Sequence, residues 1–390
     1  MSAEEVAGHY SRFRVTERVL LTGHSHQAWP DVAFDAQKQA WLDAAEHVDS
    51  KWGMAEEKAA FLRNWLSQRM GDQGGLIALG QNTHELVVRF LSALDLKARP
   101  RIVTTDGEFH SIRRQLDRMA EDGVELVKVP ALPASGLAER LAQTVDDRTA
   151  AVFVSRVLFR NAHVVPGLGT VMRACDRVGA ELLVDAYHAL NAIPFSVSEE
   201  GLEDAFVVGG GYKYLQMGEG ACFLRFPEHC MHRPVVTGWF SEFPLLAQEQ
   251  DSVTVPYGAA EARYAGSTYD PTSHYRAVAV AEFFDDVGLS VDVLRDSGQR
   301  QVGRLAQSFD ALDVNPDLIH RDRSVAFEEL GGFLALSTPR ADEISAQLKE
   351  RGISTDFRAN VLRFGPAPYV SDAQLDEAMA ALGEVLRTKS

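Results

Sequence analysis

The stretch from Leu182 to Gly220 places an acid and an amine at comparable positions. One apolar run, ELLVDA (181–186), ends at Asp185, and His188 follows three residues later. A second apolar run, AFVVGG (205–210), leads into GYKYLQMGEGA and puts Lys213 just past its end. Read as strands, the two runs bring a carboxylate and a lysine to neighbouring strand ends. Alone, an Asp at a strand end is more often a helix cap, and a Lys is usually a solvated charge. The spacing, the strand contexts and the glycine-rich setting together point instead to chemistry. Pyridoxal phosphate needs both groups. Its aldehyde takes a lysine amine as an imine, and a carboxylate keeps its pyridinium nitrogen protonated so that the ring can act as an electron sink.

Elements on both sides must hold these groups in place. Over residues 31–70, Trp and Leu recur at three and four, which predicts amphipathic helices. Beyond them, short apolar runs alternate with helical patterns: GLIAL (75–79), RIVTT (101–105), VELVKV (124–129), AAVFVS (150–155) and the two runs above, with ACFLRF (221–226) closing the series. This alternation predicts an α/β fold with a mostly parallel sheet sandwiched by helices, whose ligands bind at the carboxyl ends of the strands. From about residue 275 the style changes to helices followed by the strand-like AFEEL, GFLALSTP, ISTDFR and VLRFGP. We expect a large cofactor-binding domain over 46–274 and a smaller α+β C-terminal domain over 275–390. Residues 1–45 are expected to pack against the latter.

Four ordered landmarks carry a resemblance to a known family: LVDAYHALN, GGYKYLQMGEG, VTGWF (236–240) and NVLRFGPAPYVS (360–371). Together they resemble the class V group of fold-type I pyridoxal-phosphate enzymes, and within it kynureninase, from about residue 20 to 375. The resemblance implies that Lys213, Asp185 and His188 are catalytic and hold the cofactor. It implies that Tyr212 bonds the phosphate, that Trp239 borders the site and that Arg363 binds the substrate's α-carboxylate. Arginine suits that task because its fork makes two parallel hydrogen bonds. The implied activity is hydrolysis or lysis of a Cβ bond of a small amino acid through an external aldimine. A class V aminotransferase, or a Cβ or C–S lyase acting on another, possibly acidic, amino acid, would use the same residues.

Other positions follow from the same resemblance. QNTHEL (81–86) opens a helix whose free amides favour an anion, so Gln81, Asn82 and Thr83 are assigned to the phosphate. Ordinary capping by Asn82 or Thr83 explains the pattern as well. In GEFHS (107–111) Phe109, or else His110, stacks on the cofactor. In GSTYDP (266–271) Thr268, with Ser267 beside it, reaches the phosphate across an interface, which implies a homodimer with active sites between subunits. Two stretches depart from the family. SRVLFRNAHVVPG carries Arg156, Arg160, Asn161 and His163; Arg156 or Arg160 would meet a second acidic group on the substrate, unless each is an ion pair with an abundant Asp or Glu. LTGHSHQAWP (21–30) brings His24 and His26 to the substrate entrance; with no third ligand, a metal is not expected. Ser155 and His26 complete the expected substrate contacts with Arg363 and Arg156. A persulfide-forming desulfurase needs a cysteine just before the arginine strand, and ISTDFRANVLRF has none.

Composition narrows the remaining classes. The chain has 390 residues and a net charge of −16, which opposes general attraction to nucleic acid or an anionic membrane. No basic helix-turn-helix pattern and no GxGxxG between strand and helix is seen. Three unpatterned cysteines, no signal-like start and no long apolar run lead us to expect a cytoplasmic enzyme.

Overall fold

The computed structural model describes residues 2–247 and 253–387. The first short strand is β1 (Val19–Leu20). The alternating runs become β2 (Gly75–Gly80), β3 (Arg101–Thr105), β4 (Glu125–Val129), β5 (Thr149–Ser155), β6 (Glu181–Asp185), β7 (Phe206–Gly210) and β8 (Cys222–Pro227). They form one seven-stranded sheet in the order β2-β8-β7-β6-β5-β3-β4. The strands from β3 to β7 run parallel to their neighbours, whereas β8 is antiparallel to both β2 and β7. The interior strand β5 is buried along its whole length, as an apolar run covered by helices on both faces must be. Separate apolar clusters fill the two faces. No helix among the described residues is long and apolar enough to cross a membrane.

The helices begin and end where the sequence supplies caps. Asn82 starts the helix Thr83–Ala93 by accepting from the Glu85 amide at 2.9 Å. Gly167 and Gly179, both in left-handed backbone, bracket the helix Leu168–Val178. On β8, Arg225 is fully buried and pairs twice with Asp72, each bond 2.9 Å, while its third nitrogen donates to the carbonyls of Glu203 and Ala205. Asp72→Ala would strand this guanidinium in the core. We expect a loss of about 3–5 kcal/mol, read as an earlier denaturation midpoint; an unchanged midpoint would mean that the pair contributes nothing.

The C-terminal strands are β9 (His320–Arg321), β10 (Leu334–Ser337), β11 (Ile353–Ser354), β12 (Asp356–Arg358) and β13 (Val361–Phe364). Four of them form a second sheet in the order β12-β13-β10-β9, while β11 pairs in parallel with β1. Gly23 and Gly365 extend this stitch, with Gly23 donating to the Gly365 carbonyl and Gly365 to that of Leu21, each at 2.7 Å. The backbones approach so closely here that a Cβ on either glycine would collide. The structure differs from expectation at AFEEL, which forms a 3-10 turn at Phe327–Glu329 rather than a strand. Glu329 folds back to accept from the Ala326 amide, so local side-chain bonding outcompetes a short ladder. ISTDFR also divides into two strands belonging to different sheets.

Candidate active site

The parallel register of β6 and β7 sets Asp185 and the start of the glycine-rich turn side by side. Gly210 must be a glycine, because a Cβ there would collide with the Tyr187 hydroxyl. The turn carries Lys213 into the interior, where only 4% of its surface remains exposed. Its Nζ lies 2.8 Å from His188 Nε2, and the ring centres of Tyr187 and Phe109 are 4.9 and 5.0 Å away. Burial lowers the ammonium pKa to about 7, with the negative field of Asp185 opposing the shift. Burial and the nearby Lys213 also hold His188 well below the ordinary histidine range. Above neutral pH the short bond therefore joins two uncharged nitrogens. Burial raises Asp185, while Lys213 and the Tyr187 amide, donating at 2.9 Å, pull the other way.

Phe109 faces the lysine, and His110 is exposed behind it. The adjacent Glu108, which sequence reasoning passed over, fixes that turn. Its buried carboxylate accepts from Thr105 Oγ1 at 2.6 Å, Ser155 Oγ at 2.6 Å and the Ser155 amide at 3.2 Å. Burial lifts its pKa to about 7, these hydrogen bonds oppose the shift, and Asp185 adds to it. Glu108 thereby ties the turn bearing Phe109 to the end of β5, beside Asp185. A carboxylate set three residues after a strand-end threonine was the available signal. Ser155 was expected to touch substrate, but its hydroxyl is committed to Glu108.

At the amino end of the helix Thr83–Ala93, Asn82 is occupied with capping and with a bond to the Glu85 side chain. Thr83 Oγ1 is buried with no hydrogen-bond partner and lies beside Tyr187 and Cys222. Tyr212 packs 5.2 Å from Tyr187, and burial pushes its phenol to about 12. His26 stacks on Tyr212 at 5.0 Å on the exposed side. The Thr83 hydroxyl, two tyrosines and the amino end of a helix gathered beside a buried lysine fit a phosphate-bearing aldehyde.

Arg363 lies on β13 and is 2% exposed. It donates to the carbonyl of Phe159 and, at 2.8 Å, to Asp356, while its Nε is buried without a partner. The two anchors fix the guanidinium and leave a donor free. Arg156 does not join this group. Its guanidinium is held by Glu200 at 3.0–3.3 Å and by the Val165 carbonyl at 2.7 Å, the ion pair that an acid-rich chain readily supplies. Arg160 bonds to Asn360, and His163 faces Asp322 at 3.4 Å. Nor does a single chain bring Trp239 and Thr268 to the lysine. They bond to each other at 3.2 Å and line, with Gln81 and Ser267, a separate cavity of about 840 Å³.

Comparison with known proteins finds similarity along most of the chain. Residues 323–382 match the kynureninase C-terminal domain family. The kynureninase of Deinococcus radiodurans is 26% identical over 362 residues, covering 89% of this chain and 82% of its own. An uncharacterized aminotransferase, YcbU, of Bacillus subtilis is 22% identical over 343 residues and 87% of each chain. Among solved structures, the cystine C–S lyase C-DES in complex with cysteine persulfide superposes with a TM-score of 0.82, at 18% identity over 95% of this chain and 98% of that one. Another structure of C-DES holds glycine covalently linked to its pyridoxal-phosphate cofactor. The fold is that of the fold-type I pyridoxal-phosphate enzymes. Within that class the chain is similar to kynureninases, over residues 323–382 by family model and at 22–26% identity over most of its length.

Proposed function

We propose that the chain is a pyridoxal-phosphate enzyme that hydrolyses a 3-acylalanine-type amino acid to alanine and a carboxylic acid. The observation that carries this reading is the buried Lys213 amine beside Asp185 and His188, together with a fixed arginine that has a free donor. The residues fit the cofactor: Lys213 for its aldehyde, Asp185 for its ring nitrogen, Phe109 and Tyr187 for its faces, and Thr83 and Tyr212 for its phosphate. When bound, pyridoxal phosphate supplies an aldehyde and a ring able to accept electron density from the substrate's Cα. Arg363 holds the α-carboxylate and so orients the Cα–H bond. Lys213 Nζ takes the Cα proton, a role suited to an amine poised near neutrality. His188, kept neutral, holds that nitrogen in place. Water adds to the side-chain carbonyl, the Cβ–Cγ bond breaks to release the carboxylic acid, one proton is delivered to Cβ, and Lys213 returns a proton to Cα to complete alanine.

The cysteines favour a hydrolase over a persulfide-forming desulfurase. Cys175, Cys222 and Cys230 are all buried, and burial raises the Cys175 thiol to about 12. The separation of Trp239 and Thr268 from Lys213 within one chain supports a homodimer in which these residues serve the partner's site. We expect the enzyme to act in the cytoplasm on a small amino acid, with no nucleic-acid or membrane partner. Product analysis with kynurenine and 3-hydroxykynurenine is the test. Alanine with a released aromatic acid is the expected result. A keto acid with pyridoxamine phosphate would instead assign an aminotransferase, and pyruvate would assign a lyase.

A further inference from the structure

The clamp arginine sits in a small charge balance of its own. Asp356 is the cross-strand neighbour of Arg363 in the β12–β13 hairpin, which turns tightly at Ala359 and Asn360. Its Oδ2 accepts from Arg363 at 2.8 Å, and its Oδ1 accepts from Arg358 at 2.6 Å. His24 is fully buried, and its Nε2 stands 3.8 Å from the same carboxylate. Burial and the neighbouring Arg363 hold its imidazole well below the ordinary range, so His24 adds no charge. Arg358 is felt electrostatically at both Lys213 and His188, so its charge reaches the reacting centre. Two guanidinium groups and one carboxylate leave a single positive charge at this end of the site.

We propose that Asp356 is a specificity-determining residue: by neutralising Arg358, it matches the clamp to one carboxylate and rejects amino acids that carry a second. This rests on the reading that Arg363 receives the substrate's α-carboxylate. A dicarboxylic ligand whose second charge falls beside Asp356 meets an acid there, and both guanidinium partners of that acid are already engaged. Specificity of this kind comes from an unfavourable contact built against the wrong ligand.

The test compares mono- and dicarboxylic ligands on the holoenzyme. L-Alanine and L-aspartate are followed by the spectral change of the cofactor, and propionate and succinate by calorimetry. The wild-type protein should favour the monocarboxylic member of each pair by about tenfold. Asp356→Asn should shift both ratios toward the dicarboxylic member by a similar factor, and adding Arg358→Gln should reverse the shift. Arg358→Gln alone, at a half-buried position, should weaken propionate several-fold, which keeps the test open if Asp356→Asn does not fold. Unchanged ratios in Asp356→Asn, unchanged propionate binding in Arg358→Gln, or a wild-type preference for aspartate and succinate would overturn the proposal. Failure of the underlying reading looks different: Arg363→Ala would then bind alanine and propionate as the wild type does, whereas failure of the proposal leaves Arg363→Ala impaired and the Asp356→Asn ratios unchanged.

Discussion

Lys213→Ala should abolish the visible absorbance of a lysine-bound imine and lower turnover by about three orders of magnitude or more. The position is unusual for a lysine. It is buried, lies 2.8 Å from a histidine nitrogen, and its pKa falls from 10.5 to about 7. At neutral pH roughly half the amine is then free of its proton, about a thousandfold more than for an ordinary lysine. The pH dependence follows. Below about pH 7 the amine is charged and cannot attack an aldehyde, so cofactor capture by the apoprotein should rise steeply up to that pH and level off above it. An unshifted lysine would still be climbing at alkaline pH. Stopped-flow absorbance on the apoprotein distinguishes the two. Retention of both colour and turnover in Lys213→Ala would remove the lysine from the chemistry.

Arg363→Ala should weaken amino-acid binding far more than cofactor binding. A buried, charge-assisted pair with a carboxylate is worth about 2–5 kcal/mol on truncation, or some thirty- to several-thousandfold in Kd. The guanidinium is already oriented by Phe159 and Asp356, so the wild-type protein loses little freedom when substrate arrives. Arg363→Lys keeps the charge and loses the fork, and it should recover only part of the affinity. Spectral titration of each variant with an amino acid, alongside the Kd for pyridoxal phosphate, gives the comparison. Equal losses for both ligands would make Arg363 a structural residue.

Part of this site was legible in the sequence because it rests on local signals. Asp185 and Lys213 end apolar runs, and adjacent parallel strands bring such ends together. Phe109 is assigned by resemblance, with His110 as the alternative, and its ring centre lies 5.0 Å from the lysine nitrogen. What escaped notice depended on partners remote in the chain. Arg156 reads equally as a substrate contact or an ion pair until folding brings Glu200 to it. Ser155 and Glu108 meet only because β3 and β5 are neighbours in the sheet. Asp356 and Arg363 are closer in sequence, but their pairing emerges only once the hairpin register is known. AFEEL carried an apolar beginning and end, yet two charged residues between them favoured a turn over a ladder.

The parallel pairing of Val19–Leu20 with Ile353–Ser354 also constrains biosynthesis. A nascent polypeptide on the ribosome cannot complete this flank until Ile353 and Ser354 have emerged, because the two paired strands lie far apart in the sequence. Throughout translation the early segment that includes His24 must wait without its lodging beside Gly365. Premature termination would therefore remove more than the arginine strand. It would also leave the amino-terminal segment unpaired, a form suited to capture by chaperones and proteases.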